Sequence, residues 1–273
     1  IGLVHSLALD RFGKNFKKQF GVVVFDEVDR SIPPTTFAPV IGLIPAKYRI
    51  GASATIKRQD GLDEVFNYHL AESTIVGVPD QIVKPKVLIH EYDRGSGFVP
   101  TLANKLAMRG MIISKVASDP ARNLILCKYI RMIYNSGRRC VVLSDRISQL
   151  EHIHKLLVKS YSVPDSELGY YCRSLSGKTL SQDYLANVAK SSKVILATYG
   201  MFAIGSDIPD LSGLVYATPQ SETIQSRGRI ERVFAGKKQP VIIDIVDNFY
   251  KNSKGWGMKR VKSYKSSGLF IKR

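Results

Sequence analysis

Seven short apolar runs rich in β-branched residues, at 22–25, 48–50, 87–92, 140–144, 194–198, 213–217 and 241–246, recur along the chain. Within each run the apolar residues are nearly continuous and do not alternate with polar ones, which is the pattern of parallel strands buried on both faces. Between them, segments such as 120–136 and 146–160 carry Leu and Ile at three- and four-residue spacing, as on a helix with one apolar stripe. Strand and helix therefore alternate, and the pattern predicts an α/β fold with parallel sheets.

Pro79 and Pro85 bracket the start of a fresh strand and suggest a boundary there. The expected organisation is 1–83 as the end of a first domain, 84–250 as a second, and 251–273 as a basic tail or helix. The last segment carries Lys251, Lys254, Lys259, Arg260, Lys262, Lys265, Lys272 and Arg273 and no acid. About 80 residues with two or three strands is meagre for a self-sufficient doubly wound domain, so the first domain is expected to be truncated on its N-terminal side.

A length of 273 residues with 44% hydrophobic content suffices for two α/β cores. Forty Lys and Arg against 23 Asp and Glu give a net charge of +17, which favours a polyanionic partner over an acidic or neutral one. Cys127, Cys140 and Cys172 are too few and too scattered for a disulfide framework and have no zinc-ligand spacing, consistent with a reducing, intracellular setting. No run approaches the roughly 18 apolar residues that span a bilayer, so the chain is expected to be soluble with no membrane partner.

The run Val22-Val23-Val24-Phe25 ends in Asp26-Glu27-Val28-Asp29. Ligands of open α/β sheets bind at the carboxyl ends of strands, so this acid pair sits where a nucleotide is expected. One carboxylate can hold Mg²⁺ while its neighbour polarises the attacking water of phosphoryl transfer, a division that fits Asp26 and Glu27. Acids also simply follow strands that reach solvent. A second strand, Tyr48-Arg49-Ile50, runs into Gly51-Ala52-Ser53-Ala54-Thr55, at a spacing that lets neighbouring strands bring Thr55 near Glu27. A third, 194–198, continues through Gly205 and Asp207, suited to close backbone approach and to a ribose hydroxyl respectively. Beyond it, Gln225-Ser226-Arg227-Gly228-Arg229-Ile230-Glu231-Arg232 sets Arg229 and Arg232 three apart on one helix face, where two guanidinium groups can meet a γ-phosphate.

In order and spacing these four stretches resemble the motifs of superfamily 2 helicases and translocases: the DExH/D box, motif III (Ser-Ala-Thr), motif V and motif VI. Residues 45–61, Pro-Ala-Lys-Tyr-Arg-Ile-Gly-Ala-Ser-Ala-Thr-Ile-Lys-Arg-Gln-Asp-Gly, look like the branch-migration and recombination helicases of bacteriophages and the related excision-repair translocases. Leu143-Ser144-Asp145-Arg146 resembles their motif IV. The resemblance implies two RecA-like domains that use ATP and Mg²⁺, with Asp26 at the metal, Glu27 activating water, and Arg229 and Arg232 at the γ-phosphate. It places Gly205, Asp207 and Gln225 at the nucleotide, Ser53 and Thr55 in coupling, and Ser144, Arg146, Gly177 and Thr198 on the nucleic-acid backbone. The implied partner is nucleic acid, DNA favoured over RNA, handled by a monomer, in the host-cell cytoplasm if the protein is phage-encoded. Asp29 makes the box of the DExD kind, although its surroundings look more like the DExH subgroup.

The phosphate-binding loop of this family is not found in the sequence. Ser176-Gly177-Lys178-Thr179 imitates its end, but the glycine required five residues before Gly177 is Cys172. The loop is expected upstream. An ATPase-dead nucleic-acid-binding module is the alternative reading, whereas a metabolic α/β enzyme would need a Gly-rich cofactor loop or a nucleophile with its base, and neither is present.

Overall fold

The computed structural model describes residues 2, 6, 7, 9, 11–26, 28, 38–53, 64–70, 82–94, 105–203, 208–221 and 223–273. The chain divides into two compact units, Ile1–Val78 and Pro79–Arg273.

In the first unit β1 (Val22–Phe25) pairs in parallel with β2 (Tyr48–Gly51), Val22 opposite Tyr48 and Phe25 opposite Gly51. Helices α1 (Lys14–Lys17), α2 (Ala38–Leu43) and α3 (Glu64–His69) accompany the pair. One face is packed: Phe25 lies with Val28 and Ile41, and Val23 lies against Leu7, Val40 and Ile44. The other face is bare, with Val22, Val24, Tyr48 and Ile50 each more than half exposed.

The second unit is built on seven parallel strands in the order β11-β3-β10-β9-β4-β8-β5. They are β3 (Lys86–Tyr92), β4 (Cys140–Ser144), β5 (Leu168–Tyr171), β8 (Val194–Thr198), β9 (Gly213–Tyr216), β10 (Val241–Asp247) and β11 (Phe270–Lys272). A small antiparallel hairpin, β6 (Ser174–Leu175) and β7 (Lys178–Thr179), follows β5. Its two-residue turn puts Ser176 at φ 49° and Gly177 at φ 79°, the paired left-handed conformation of a hairpin turn. The Ser-Gly-Lys-Thr sequence is therefore a β-turn between two strands, not a phosphate cradle leading into a helix.

The unit's helices are α4 (Lys105–Ser118), α5 (Pro120–Asn135), α6 (Ile147–Tyr161), α7 (Gln182–Ser191), α8 (Tyr199–Ala203), α9 (Ile224–Glu231) and α10 (Lys251–Ser266). Both faces of the sheet are covered. Leu126, Ile130, Ile133, Leu150, Ile153 and Leu157 of α5 and α6 pack with Val142, Leu196 and Val215. Leu185, Phe202, Ile230, Val261 and Tyr264 pack on the opposite side with Val141, Ile195 and Leu214. Helix starts follow local chemistry: Asp119 accepts from the Arg122 amide ahead of Pro120, and Ser181 accepts from that of Tyr184.

Residues 251–266 form a helix, one of the two forms expected there, and it is packed into the second unit's core and not set apart from it. In α10, Ser253, Gly257, Arg260, Val261 and Tyr264 form a buried stripe, while Lys251, Lys254, Lys259, Lys262 and Lys265 stay in water. Gly257 lets the helix close on the sheet, because a Cβ there would stand 2.6 Å from Val246 Cγ1. Arg260 donates to both oxygens of Asp244, at 2.8 and 2.7 Å, and Tyr264 donates to the same carboxylate at 2.9 Å. On the opposite face of the sheet Arg122 pairs with Asp247 at 2.6 and 3.0 Å. A buried charge is tolerated only when paired and hydrogen-bonded, and both pairs meet that condition.

Candidate functional site

In the first unit the described candidates, Asp26 and Ser53, stand at the carboxyl end of the strand pair. Asp26 follows β1 directly and is exposed, and Ser53 lies two residues beyond β2. The two strand ends are tied together: Ala52 N–H donates to the Phe25 carbonyl at 2.9 Å, and Val28 N–H to that of Ala52 at 3.0 Å. Glu27 and Thr55 lie outside the described residues.

The second unit presents Ser144, Thr198 and Gly177 along one edge, because every strand of its sheet runs in the same direction. Ser144 ends β4 opposite Thr198, which ends β8, and the hairpin holding Gly177 follows the end of β5. Arg146 caps α6, with Nε donating to Ser114 Oγ at 3.2 Å, Nη1 to the Asp145 carbonyl at 3.2 Å and Nη2 to the Gly110 carbonyl at 3.1 Å. The guanidinium is thus fixed in place with an N–H left on each Nη for an anion. A cavity of about 830 Å³ opens beside it, with Ser114, Lys115, Ser118, Ser148 and His152 in its wall.

Ser144 stands differently. It is fully buried, accepts from the Arg146 amide at 2.9 Å and donates to Gln149 Oε1 at 2.7 Å. Its hydroxyl orders the turn that presents Arg146, and the expected contact of Ser144 itself with a ligand is not what this geometry offers.

Asp145, between them, is largely withdrawn from water. Burial pushes its carboxyl above the usual aspartate range, against the opposing pull of Arg109 and Arg146 and of hydrogen bonds from Thr218 and Gln220.

The strand β9 leads through a short loop into α9, which carries Gln225, Arg229 and Arg232. Arg229 lies over the Phe202 ring, 5.4 Å from its centroid, and its Nη2 donates to the Ala203 carbonyl at 2.6 Å. Arg232 follows the helix, bridged through its backbone to Ile82. Arg227, on the inward side, is buried and paired with Glu231 at 2.9 Å. Of the remaining predicted nucleotide contacts, Gly205 and Asp207 lie outside the described residues.

No protein-family model matches this chain. A protein of Acanthamoeba polyphaga mimivirus named as an ATP-dependent RNA helicase is 25% identical over 93% of this chain and 49% of its own length. A protein of Escherichia phage T5 named as a helicase is 26% identical over 87% of this chain and 51% of its own. Among solved structures, the DUF1998 helicase MrfA bound to DNA and AMPPNP superposes with a TM-score of 0.63 at 14% identity, over 98% of this chain and 37% of that one. Dbp5 of S. cerevisiae bound to RNA and ADP BeF3 gives 0.58 at 13%, over 94% and 60%. The chain is a distant relative of superfamily 2 helicases. Its seven-stranded sheet has the RecA-like helicase architecture, and it spans about half the length of the curated relatives it matches.

Helicase motifs read from sequence missed the residues that hold this edge together. Gln220 donates from Nε2 to both oxygens of Asp145, at 3.1 and 2.9 Å, and accepts from Arg109 Nη2 at 2.9 Å. Tyr199 donates to the Thr218 carbonyl at 2.7 Å, and Arg122 donates to that of Ala217. Arg109 and Gln220 are 111 positions apart, so no local pattern pairs them. Among the described residues no helix is long and apolar enough to cross a membrane.

Proposed function

We propose that this chain supplies the hydrolytic acids, the arginines and much of the nucleic-acid track of an ATP-dependent helicase or translocase that moves along or remodels DNA. The observation that carries the reading is the carboxyl edge of the second unit's sheet, where Thr198 ends β8, Arg146 follows β4, the hairpin of Gly177 follows β5 and the loop that launches α9 follows β9. A row of backbone-directed groups suits phosphates, which position a strand without reading its sequence. On the same reading Arg229 and Arg232 face the γ-phosphate, where guanidinium groups stabilise the charge of phosphoryl transfer. Gly205, Asp207 and Gln225 line the nucleotide, and Ser53 and Thr55 couple the two sites.

The donor set fits Mg²⁺. This ion keeps several waters and takes one or two carboxylates plus substrate phosphates, so an exposed Asp26 at a strand end is a suitable ligand. Bound there, the ion would neutralise phosphate charge. Glu27 then orients and deprotonates the attacking water. DNA is proposed over RNA because residues 45–61 resemble branch-migration and repair enzymes; binding by matched DNA and RNA strands in competition decides the point.

The test is hydrolysis by the full-length protein. Glu27→Gln keeps nucleotide binding and lowers nucleic-acid-stimulated turnover by roughly 10²–10⁴-fold, the usual worth of a positioned base. Turnover within a few fold of wild type overturns the assignment.

A further inference from the structure

The loop between β9 and α9 is held by several polar contacts, and Asp145 makes two of them. Its backbone N–H donates to Thr218 Oγ1 at 2.9 Å, and its carboxylate receives the Gln220 amide. From the loop, one contact runs onward: the Thr218 carbonyl accepts from Tyr199, the first residue of α8. Helix α8 in turn carries Phe202 and Ala203, the two residues that touch the Arg229 guanidinium. The loop is braced from the sheet's two sides as well, since buried Arg122 donates to the Ala217 carbonyl and buried Arg260 to that of Gln220. The contacts therefore form a continuous chain from Asp145 through the loop to α8.

We infer that Gln220 is a positioning residue that couples nucleic acid at Arg146 to Arg229, by linking Asp145 to the loop that launches α9. The inference rests on the helicase reading above. Gln220 touches neither ligand. It joins Arg109 and Asp145 through one amide, and Arg109 itself lies 4.8 Å from the Trp256 ring centroid on α10, so the link is anchored at both ends. An amide can accept from a guanidinium and donate to a carboxylate at once.

The experiment uses the full-length protein and a single-stranded DNA oligonucleotide, comparing Gln220→Glu with the double variant Gln220→Glu, Asp145→Asn. The single variant keeps the side-chain length and the Arg109 contact but sets two carboxylates against each other. The double variant reverses donor and acceptor and restores the hydrogen bond. For Gln220→Glu, hydrolysis without DNA and the half-saturating DNA concentration stay within about twofold of wild type, while DNA-stimulated kcat falls roughly tenfold, a typical coupling between two sites. The double variant recovers most of that loss. Stimulation at the wild-type level in Gln220→Glu overturns the inference, as does a loss of DNA affinity and thermal stability that accounts for the drop, or a double variant that regains its Tm without its stimulation. Arg229→Ala separates the two readings: full stimulated hydrolysis in that variant would remove the arginine assignment and this inference with it, whereas its loss alongside an unaffected Gln220→Glu removes the inference alone.

Discussion

The β1–β2 pair and the seven-stranded sheet are made of the same kind of residue and meet opposite fates. In the second unit Val141, Val142, Leu143, Leu196 and Val215 have no exposed surface, because helices cover both faces. In the first, Val22 opposite Tyr48 and Val24 opposite Ile50 form a contiguous apolar patch in water. Each such side chain is about half exposed and so forgoes half of the roughly 1.5–3 kcal/mol that full burial provides. The difference teaches where stability and chemistry lie: the second unit is a complete core with a polar edge, whereas the first presents Asp26 from a strand pair packed on one face only.

The largest effect should come from separating the two. Residues 79–273 alone should unfold cooperatively, with a Tm close to that of the second unit in the whole chain, while residues 1–78 alone should show no cooperative transition by calorimetry. A cooperative transition in 1–78 would break the comparison. Truncation after Asn248 should abolish folding of the second unit, because it removes the Arg260 and Tyr264 partners of Asp244.

Next in size is Arg260→Ala, expected to cost about 3–5 kcal/mol by denaturant unfolding, since it strands a fully buried Asp244. The double variant Arg260→Met, Asp244→Leu should recover most of it. A cost below about 1 kcal/mol for Arg260→Ala would show the pair to be dispensable. Smaller still, and on the other side of the comparison, Val24→Thr with Ile50→Thr should change stability by no more than about 0.5 kcal/mol. Val142→Thr should cost about 1–3 kcal/mol by burying a hydroxyl. Equal costs for the two would mean that the first unit's face is covered.

A pH-dependent effect concerns Asp145. Its carboxyl titrates above the unfolded value because it is buried. A raised acid favours folding in its neutral form, so its cost is present at neutral pH and disappears as pH falls toward the unfolded pKa. Asp145→Asn should therefore raise Tm at pH 7.5, and by less at pH 5. A gain that grows on acidification contradicts the assignment.

Much of the second unit was legible from sequence, because continuous apolar runs such as 140–144 and 194–198 admit few other readings. Among the strands that escaped were Leu168–Tyr171, where glycine and two tyrosines break the apolar run, and Phe270–Lys272, where the apolar run Leu269-Phe270-Ile271 is only three residues long. Arg260 read as part of a basic end because charge gives no hint of an aspartate 16 positions earlier, buried on the neighbouring strand. Motif spacing located Arg146 and Arg229, but it could not show that Ser144 is turned inward or that Gln220 ties Asp145 to Arg109. Those are contacts made by the fold between residues distant in the chain.

The central claim is that the carboxyl edge of the second unit is a nucleic-acid track. Fluorescence anisotropy with a labelled single-stranded oligonucleotide, on residues 1–273, tests it most directly. The account predicts weak binding, with Kd about 10⁻⁶–10⁻⁴ M, that falls roughly tenfold or more between about 50 and 200 mM salt as bound counterions are released. Arg146→Ala should weaken it further with little change in sequence preference. No binding at low salt, or binding indifferent to salt and to Arg146, would contradict the claim and make the +17 charge a solvated surface.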